Sequence, residues 1–274
     1  MRSFFALVSV SLASLAMQAS ASCIYGTTLH RRQTDVPVSS YTFGGTTGPI
    51  NWAGLKPEYR ECALGHNQSP INFNQSIPFA TEIPQINIPS TSFAEFLNIG
   101  STVQVFINGT TMFGGKTYHL IQYHFHTPSE HRIENEYYPL EMHMVHEADD
   151  GAHVVVGVLF QLSDFGLTTD FVRQTIVNID GIREPGTRNV TGYLDFSELV
   201  EAFQSAPIYQ YTGSLTTPPC TEGITFLTLA YPMVLDVASY NLLKSVMKFN
   251  ARYIQNAPGE QNLLQISARE ISEL

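Results

Sequence analysis

Short strand-like runs separated by turns constrain the fold of this chain more than any other feature. The runs are rich in Val, Ile, Tyr and Phe, which favour strands, and turn-forming Gly, Pro, Asn and Asp residues lie between them. They are Thr102–Ile107, Lys116–His126, Pro139–Glu147, His153–Leu162 and Ile224–Tyr231. No linker, repeat or low-complexity tract interrupts residues 41–264. The pattern predicts one β-dominated domain over residues 41–274.

Helical periodicity is confined to three segments, which we expect around the edge of the sheet. They are Asp170–Asp180, Ser197–Phe203 and Val237–Lys248. The last is the clearest, because Leu243 and Val246 recur at helical spacing and Asp236 can cap the first turn. The expected fold class is therefore mostly β with peripheral helices.

The first 21 residues predict a secretory signal peptide. Arg2 is their only charged residue, an apolar run follows it, and Ala19-Ser20-Ala21 supplies small residues at the spacing of a signal-peptidase site. The apolar run is too short to span a bilayer, and no later segment is long and apolar enough to do so. We therefore expect a secreted or extracellular protein, cell-surface or cell-wall association included, without a membrane span.

Residues 22–40 form an N-terminal segment whose processing has two alternatives. The dibasic pair Arg31-Arg32 is consistent with removal of a propeptide that ends at residue 32, and termini of this kind are also often retained. The mature chain would then begin after Ala21 or after Arg32.

The secretory route leads to two further expectations. Asn74, Asn108 and Asn189 each begin an N-glycosylation sequence of the Asn-x-Ser/Thr type. Cys62 and Cys220 are a candidate disulfide pair in an oxidising compartment, and Cys23 would leave with the propeptide if it is cleaved.

The charge balance excludes a nucleic-acid partner. The chain has 14 Lys and Arg residues against 24 Asp and Glu residues, for a formal net charge of −10, and its cations are not clustered. A nucleic-acid-binding surface needs a basic patch or stripe. We therefore attribute the acidic excess to extracellular solubility.

Nine histidines occur, and five of them fall within residues 124–146. Alternate residues of a strand share one face. Gln122, His124 and His126 are therefore expected on one face, and Tyr123 and Phe125 on the other, in an apolar layer. Taken alone, a His-x-His pair is most simply explained as two ordinary histidines on a polar face.

Residues on the next strand favour a metal site instead. The loop 127–138 lets the following strand return antiparallel, which places His143 across from His124 and His126. A metal-binding imidazole needs an acceptor for its second nitrogen. Gln122 can supply one for His124, Glu141 can supply one for His143, and the third ring would use a backbone carbonyl. Three neutral nitrogens with an open fourth position suit Zn²⁺ and its bound water, although Co²⁺ would also fit.

Further motifs extend the pattern along the chain. They are Gln68-Ser69-Pro70-Ile71, Gln122-Tyr123-His124-Phe125-His126, Ser129-Glu130-His131, Glu141–His146, Gly213–Cys220 and Asn250–Gln255. In this order and at this spacing they resemble the α-class carbonic anhydrases of the secreted, disulfide-containing type. The resemblance implies a single domain with a central, largely antiparallel twisted sheet of about ten strands.

The resemblance also implies a role for each residue that matches a family motif. His124, His126 and His143 match the zinc ligands. Thr216 matches a threonine whose hydroxyl accepts a hydrogen bond from zinc-bound hydroxide, and Glu130 matches the carboxylate that takes the threonine's own proton. The residues expected to contact the substrate are Val145, Val155, Leu215, Thr217 and Phe226, the last standing where tryptophan is usual. Cys62 and Cys220 fall where secreted members carry a disulfide.

The implied activity is reversible hydration of carbon dioxide to bicarbonate and a proton, by a zinc hydro-lyase with Zn²⁺ as its cofactor. A side activity on activated esters is expected, because the same nucleophile attacks other carbonyls. The alternative is a catalytically silent carbonic anhydrase-like protein that serves in binding or storage. The expected partner is a small molecule, and the chain would be a monomer or a homodimer.

One motif departs from the family pattern. Where fast members carry a histidine that passes the proton to buffer, this chain has Ser101, and Phe43 replaces a tyrosine that orders the water chain. Serine has no pKa near neutral pH and cannot act as an acid–base shuttle. We therefore expect proton transfer to limit turnover at low buffer concentration. His66 or His119 could substitute only from the rim of the cavity.

Overall fold

The computed structural model describes residues 35–274. The predicted signal peptide, the dibasic pair and Cys23 therefore lie outside the described residues.

Thirteen strands occur within residues 35–274, and we number them in chain order. They are β1 (Asn72–Phe73), β2 (Gln85–Asn87), β3 (Glu95–Asn98), β4 (Val103–Phe106), β5 (Thr110–Phe113), β6 (Lys116–His126), β7 (Arg132–Ile133), β8 (Leu140–Glu147), β9 (His153–Leu162), β10 (Thr187–Val190), β11 (Ile208–Ser214), β12 (Glu222–Leu229) and β13 (Met233–Leu235). The five predicted runs correspond to β4, β6, β8, β9 and β12.

Eleven of these strands form one large mixed sheet, which confirms the predicted fold class. Its main path runs β10-β3-β4-β6-β8-β9-β12-β11, with β5 and β2 continuing from β6 and with β13 beside β9. Pairing is antiparallel except where β12 and β13 meet β9. A separate parallel pair joins β1 to β7.

The two faces of the sheet have different contents. Tyr123 and Phe125 of β6 are fully buried in the main hydrophobic core, which also contains apolar residues of the helices at 170–176, 197–205 and 237–247. His124 and His126 alternate with them along the strand, so they lie on the opposite face. The long central strands β6, β8 and β9 therefore support the main core on one face and the histidines on the other.

Six α-helices occur among the described residues, 35–274. They are α1 (Trp52–Leu55), α2 (Glu61–Leu64), α3 (Asp170–Ile176), α4 (Ser197–Ser205), α5 (Val237–Met247) and α6 (Leu263–Ser272). Short 3₁₀ turns occur at Gly45–Thr47, Pro57–Tyr59 and Ile179–Ile182. Among the helices of residues 35–274, none combines the length and apolar character that a membrane crossing requires.

The three predicted helices are present with slightly different ends. Asp236 caps α5, because its side chain accepts a hydrogen bond of 2.8 Å from the Ser239 backbone N–H. The sequence did not predict α6, which has no fully buried residue and packs loosely on the surface near α2.

Candidate metal centre

Three buried imidazoles converge on the face of the sheet opposite the main core. The β6–β8 register pairs His124 with His143, as the antiparallel return predicted. His126 lies two residues further along β6, on the same face. All three side chains are buried, and one ring nitrogen from each lies within 4.8 Å of the other two. The predicted ligand set is therefore brought to one point.

Each ring is oriented by an acceptor on its other nitrogen. His124 Nδ1 lies 2.9 Å from Gln122 Oε1, and His143 Nε2 lies 2.6 Å from Glu141 Oε1. His126 Nδ1 lies 2.9 Å from the backbone carbonyl oxygen of Asn250. The two side chains and the carbonyl are the acceptor types that the strand pattern predicted, but only the fold shows that Asn250 provides the carbonyl.

Glu141 is itself held in place by a second layer of contacts. Its Oε2 accepts hydrogen bonds from the backbone N–H groups of Glu130 and His131, at 2.7 and 2.8 Å. The ring of His131 donates from Nδ1 to Glu141 Oε1 at 2.6 Å, and its Nε2 meets the Tyr211 hydroxyl at 2.6 Å. Sequence reasoning quoted His131 in a motif without giving it a role, and the structure identifies it as a support for Glu141.

The protonation states of the rings suit a metal. Burial, together with the neighbouring imidazoles, lowers the pKa of His124 well below its ordinary value, and burial lowers the pKa of His126 to about 3. Neutral imidazole is the form that binds a metal. Among the described residues, His126 Nε2 and His143 Nδ1 are buried without a hydrogen-bond partner. A cation shared by these nitrogens would satisfy both, so the residues fit the predicted group.

Thr216 and Glu130 lie beside the imidazoles, and both are buried. Glu130 Oε1 accepts a hydrogen bond of 2.9 Å from the backbone N–H of Arg252, and Oε2 lies 3.4 Å from His126 Nε2. Burial and the charge of Glu141 raise the pKa of Glu130 well above its ordinary value, and the Thr216 hydroxyl and Arg252 oppose that rise. Thr216 Oγ1 is near the carboxylate but meets no partner at standard hydrogen-bond geometry within the described part of the chain.

An apolar cluster separate from the main core lies against the same site. Val145, Val155, Leu215 and Phe226 all belong to it, each at most 1% exposed. The Phe226 ring meets the His143 ring edge-on, with centroids 5.8 Å apart. Four of the five predicted substrate-contact residues thus belong to one apolar cluster next to the imidazoles, and the fifth, Thr217, lines the cavity described next.

A small cavity opens beside His124 and His126. It is also lined by Tyr41, Phe43, Ile99, Ser101, Thr102, Gln104 and Thr217. Ser101 and Phe43 therefore lie at the site, as the resemblance of the sequence motifs implied. His66 and His119 are exposed, and His119 lies 3.5 Å from Asp149. Neither of them lines this cavity.

The predicted disulfide between Cys62 and Cys220 is present, and both cysteines are fully buried with Cα atoms 5.1 Å apart. Cys62 belongs to α2, and Cys220 ends the loop that carries Thr216. Arg252 donates to the Cys62 carbonyl at 3.0 Å, and Gln68 donates to the Cys220 carbonyl at 3.0 Å. The bridge therefore ties the Thr216 loop to the N-terminal helices.

Replacing both bridge cysteines with serine is expected to lower the free energy of unfolding by about 2–5 kcal/mol. The corresponding fall in melting temperature is roughly 4–20 °C for a chain of this size. Calorimetry on Cys62→Ser/Cys220→Ser checks this, with Cys23→Ser as the matched control because Cys23 takes no part in the bridge. A double variant as stable as its parent would show that the bridge is dispensable.

The three glycosylation candidates differ in their surroundings. Asn108 is exposed, and Asn74 is half-buried, with its Oδ1 accepting hydrogen bonds from the backbone N–H and the hydroxyl of Ser76. The half-buried Asn189 donates its Nδ2, the atom that would carry a glycan, to the Asn178 carbonyl at 3.1 Å.

Comparison with known proteins gives a consistent result. The family model of the eukaryotic-type carbonic anhydrases matches residues 47–273. A carbonic anhydrase of Pectobacterium atrosepticum is 33% identical over 222 residues, which cover 79% of this chain and 87% of that protein. Dioscorin DB3L of Dioscorea polystachya is also 33% identical, over 226 residues that cover 80% of each chain.

The fold comparison agrees with the sequence matches. The solved structure of a fungal alpha carbonic anhydrase from Aspergillus oryzae superposes with a TM-score of 0.82 at 40% identity. The match covers 85% of this chain and 100% of the fungal chain.

Proposed function

The chain belongs to the eukaryotic-type, α-class carbonic anhydrase family, and we propose that it catalyses reversible hydration of carbon dioxide to bicarbonate and a proton with zinc. The observation that carries the proposal is the group of three buried imidazoles, His124, His126 and His143, each oriented by its own acceptor. Three protein ligands with an open fourth position are typical of catalytic zinc, whereas structural zinc is closed by a fourth protein ligand.

Zinc is proposed over other divalent ions because three neutral nitrogens suit it, and cobalt is the ion that would replace it most readily. When bound, zinc would lower the pKa of its water towards neutrality and supply a hydroxide nucleophile, the property for which carbonic anhydrases are the standard example. A cation at this point would also favour the ionised form of Glu130, opposing the rise in its pKa that burial causes.

We assign to Thr216 the role of orienting the attacking oxygen. If the hydroxyl of Thr216 donates to Glu130, its oxygen can only accept a hydrogen bond from the nucleophile. Glu130 can keep this role because the Arg252 backbone N–H holds its Oε1 and Glu141 holds its backbone N–H. The nucleophile is then held with a lone pair directed at the substrate carbon.

The apolar cluster of Val145, Val155, Leu215 and Phe226 is the proposed contact surface for carbon dioxide. Carbon dioxide is apolar, so a dry surface beside the nucleophile accepts it and excludes water. The phenylalanine keeps that surface apolar with less area than a tryptophan. Thr217, in the same loop as Thr216, is proposed to meet the polar product, and activated esters are proposed as side substrates.

The second candidate function is a catalytically silent binding or storage protein. It is favoured by the similarity to dioscorin, which equals the similarity to the bacterial carbonic anhydrase at 33% identity. Overall similarity therefore does not separate the two roles, and the retained imidazoles favour hydration. Stopped-flow measurement of carbon dioxide hydration by the zinc-loaded chain decides between the two functions. A chain that binds zinc but does not accelerate hydration would be the silent protein.

Turnover is expected to depend on buffer, because each hydration releases one proton and Ser101, which has no pKa near neutral pH, cannot hold it as a histidine would. At saturating carbon dioxide, kcat should rise several-fold as the concentration of a small buffer is increased at constant pH and ionic strength. The ratio kcat/KM should stay constant, since it reports the steps before proton release. A kcat that does not change with buffer concentration would contradict this expectation.

We further propose that the protein is secreted and glycosylated, as a monomer or homodimer. The buried disulfide supports an oxidising compartment. Asn74, Asn108 and Asn189 are the proposed glycan sites, and the amide nitrogen of Asn189 also donates a hydrogen bond within the fold. Mass measurement of the secreted protein, before and after glycan removal, tests the sites and also identifies whether the chain begins after Ala21 or after Arg32.

A further inference from the structure

Tyr41 brings a phenol hydroxyl to the cavity beside the imidazoles. Its side chain is 4% exposed and lines that cavity together with Ser101, Thr217, His124 and His126. Apart from the two imidazoles, it is the one ionisable side chain among the residues that line the cavity. Sequence reasoning gave Tyr41 no role.

The Tyr41 hydroxyl is at the centre of a small group of hydroxyls. Burial raises the pKa of Tyr41, and the nearby hydrogen-bonding side chains of Thr217, Ser101 and Ser39 oppose that rise. Ser39 Oγ and Ser101 Oγ lie 2.6 Å apart. The link to Thr217 is incomplete, because Thr217 Oγ1 has no partner at standard hydrogen-bond geometry among residues 35–274. A hydroxyl rotation or one bridging water would complete it.

These hydroxyls lead from the interior towards solvent. Thr217, Tyr41 and Ser101 are each at most 4% exposed, whereas Ser39 is partly exposed. Three members of the group are buried and the fourth is partly exposed, so the group extends from the cavity towards the surface.

The backbone around the group is held in place. The Ser39 N–H donates to the Ile99 carbonyl at 2.9 Å, and Asn250 donates from Nδ2 to the Ser101 carbonyl at 3.0 Å. The Tyr41 ring packs edge-on against Trp52, with centroids 5.5 Å apart. Asn250 also supplies the carbonyl that orients His126, so the hydroxyl group and the metal site share one support.

We propose that Thr217, Tyr41, Ser101 and Ser39 form a hydroxyl relay that carries the proton of hydration from the cavity to buffer. The inference rests on the proposed function, which must release one proton for each carbon dioxide hydrated. At each hydroxyl an O–H bond forms with the incoming proton as the original O–H bond breaks, so no residue keeps a charge. A buffer base in solution takes the proton at Ser39, and rotation of the hydroxyls restores their starting direction.

Tyr41→Phe tests the relay, because it removes the central hydroxyl and keeps the ring. At low buffer concentration, kcat should fall by about tenfold or more, as expected when a positioned proton-transfer group is lost. The ratio kcat/KM should stay within about twofold, and a high concentration of imidazole buffer should restore kcat. Ser39→Ala should cause the same fall in kcat at low buffer concentration. Because Ser39 is partly exposed, this variant also tests the relay if Tyr41→Phe folds poorly.

Tyr59→Phe is the matched control. Tyr59 is a buried tyrosine of the same aromatic cluster, and it does not line the imidazole cavity. Its variant should keep the parent kcat at every buffer concentration. Equal losses in the two tyrosine variants would point to packing and overturn the relay.

A spectroscopic measurement on the metal-free chain tests the hydrogen bonding of Tyr41 without relying on enzyme activity. The ultraviolet resonance Raman doublet of tyrosine reports hydrogen bonding of the phenol, and the parent spectrum minus that of Tyr41→Phe isolates Tyr41. Ser39→Ala/Ser101→Ala should shift this component towards a weaker hydrogen bond. An unshifted component, or a kcat of Tyr41→Phe that equals the parent at low buffer, overturns the relay alone. A zinc-loaded parent chain without hydration activity overturns the proposed function and the relay with it.

Discussion

Replacing His124 with alanine is expected to abolish zinc binding and carbon dioxide hydration together. His124 is one of three buried imidazoles whose nitrogens lie within 4.8 Å of one another. Mutation of a residue that only hydrogen-bonds to a metal ligand weakens metal binding by up to about 100-fold. Loss of a ligand itself should therefore weaken zinc binding by more than this. Zinc content by mass spectrometry and hydration by stopped flow, measured on the same preparation, check the expectation.

His119→Ala is the matched control for this variant. His119 lies on the same strand, β6, but its side chain is 58% exposed and faces Asp149. It should keep the zinc content and hydration rate of the parent. Hydration that persists in a zinc-free His124→Ala chain would contradict the zinc mechanism, and zinc that remains fully bound would contradict the ligand assignment.

Replacing Thr216 with alanine is expected to leave zinc in place and lower kcat/KM by about 10²–10³-fold, the usual cost of one preorganised hydrogen-bonding group. Glu130→Gln should have a similar effect, because an amide can donate to Thr216 and so reverse the direction of the hydrogen bond. The nucleophile would then lose its acceptor. Thr212→Ala, at an exposed threonine of the same strand–loop unit, is the control and should retain the parent rate.

The double variant Thr216→Ala/Glu130→Gln shows whether the two residues act as a unit. If Glu130 works only through Thr216, the double variant should be no slower than Thr216→Ala alone. A rate equal to the product of the two separate losses would show that Glu130 acts independently, for example through its 3.4 Å approach to His126.

Strand alternation alone predicted the central part of the site. Gln122, His124 and His126 share a face because they are two residues apart, and the antiparallel return of β8 then brings His143 opposite His124. These relations are local or involve neighbouring strands, so the residue pattern contains them. The Asp236 cap of α5 was predictable for the same reason.

Contacts between distant segments were beyond such reasoning. The carbonyl that orients His126 belongs to Asn250, and the residue that holds Glu130 is Arg252. Pairing of the short strand β10 with β3 likewise joins segments about 90 residues apart, without a periodic pattern long enough to identify either strand. Tyr41 lines the cavity together with Ser101, which lies 60 residues further along the chain, and a local pattern cannot show such a contact.

Stepwise addition of zinc to the metal-free chain is the most direct test of the zinc-dependent hydration proposed here. Hydration should be absent before zinc is added, rise in proportion to it, and level off at one zinc per chain, the stoichiometry of a single three-histidine site. Full hydration activity in the metal-free chain, or its absence with one zinc bound per chain, would contradict the proposal.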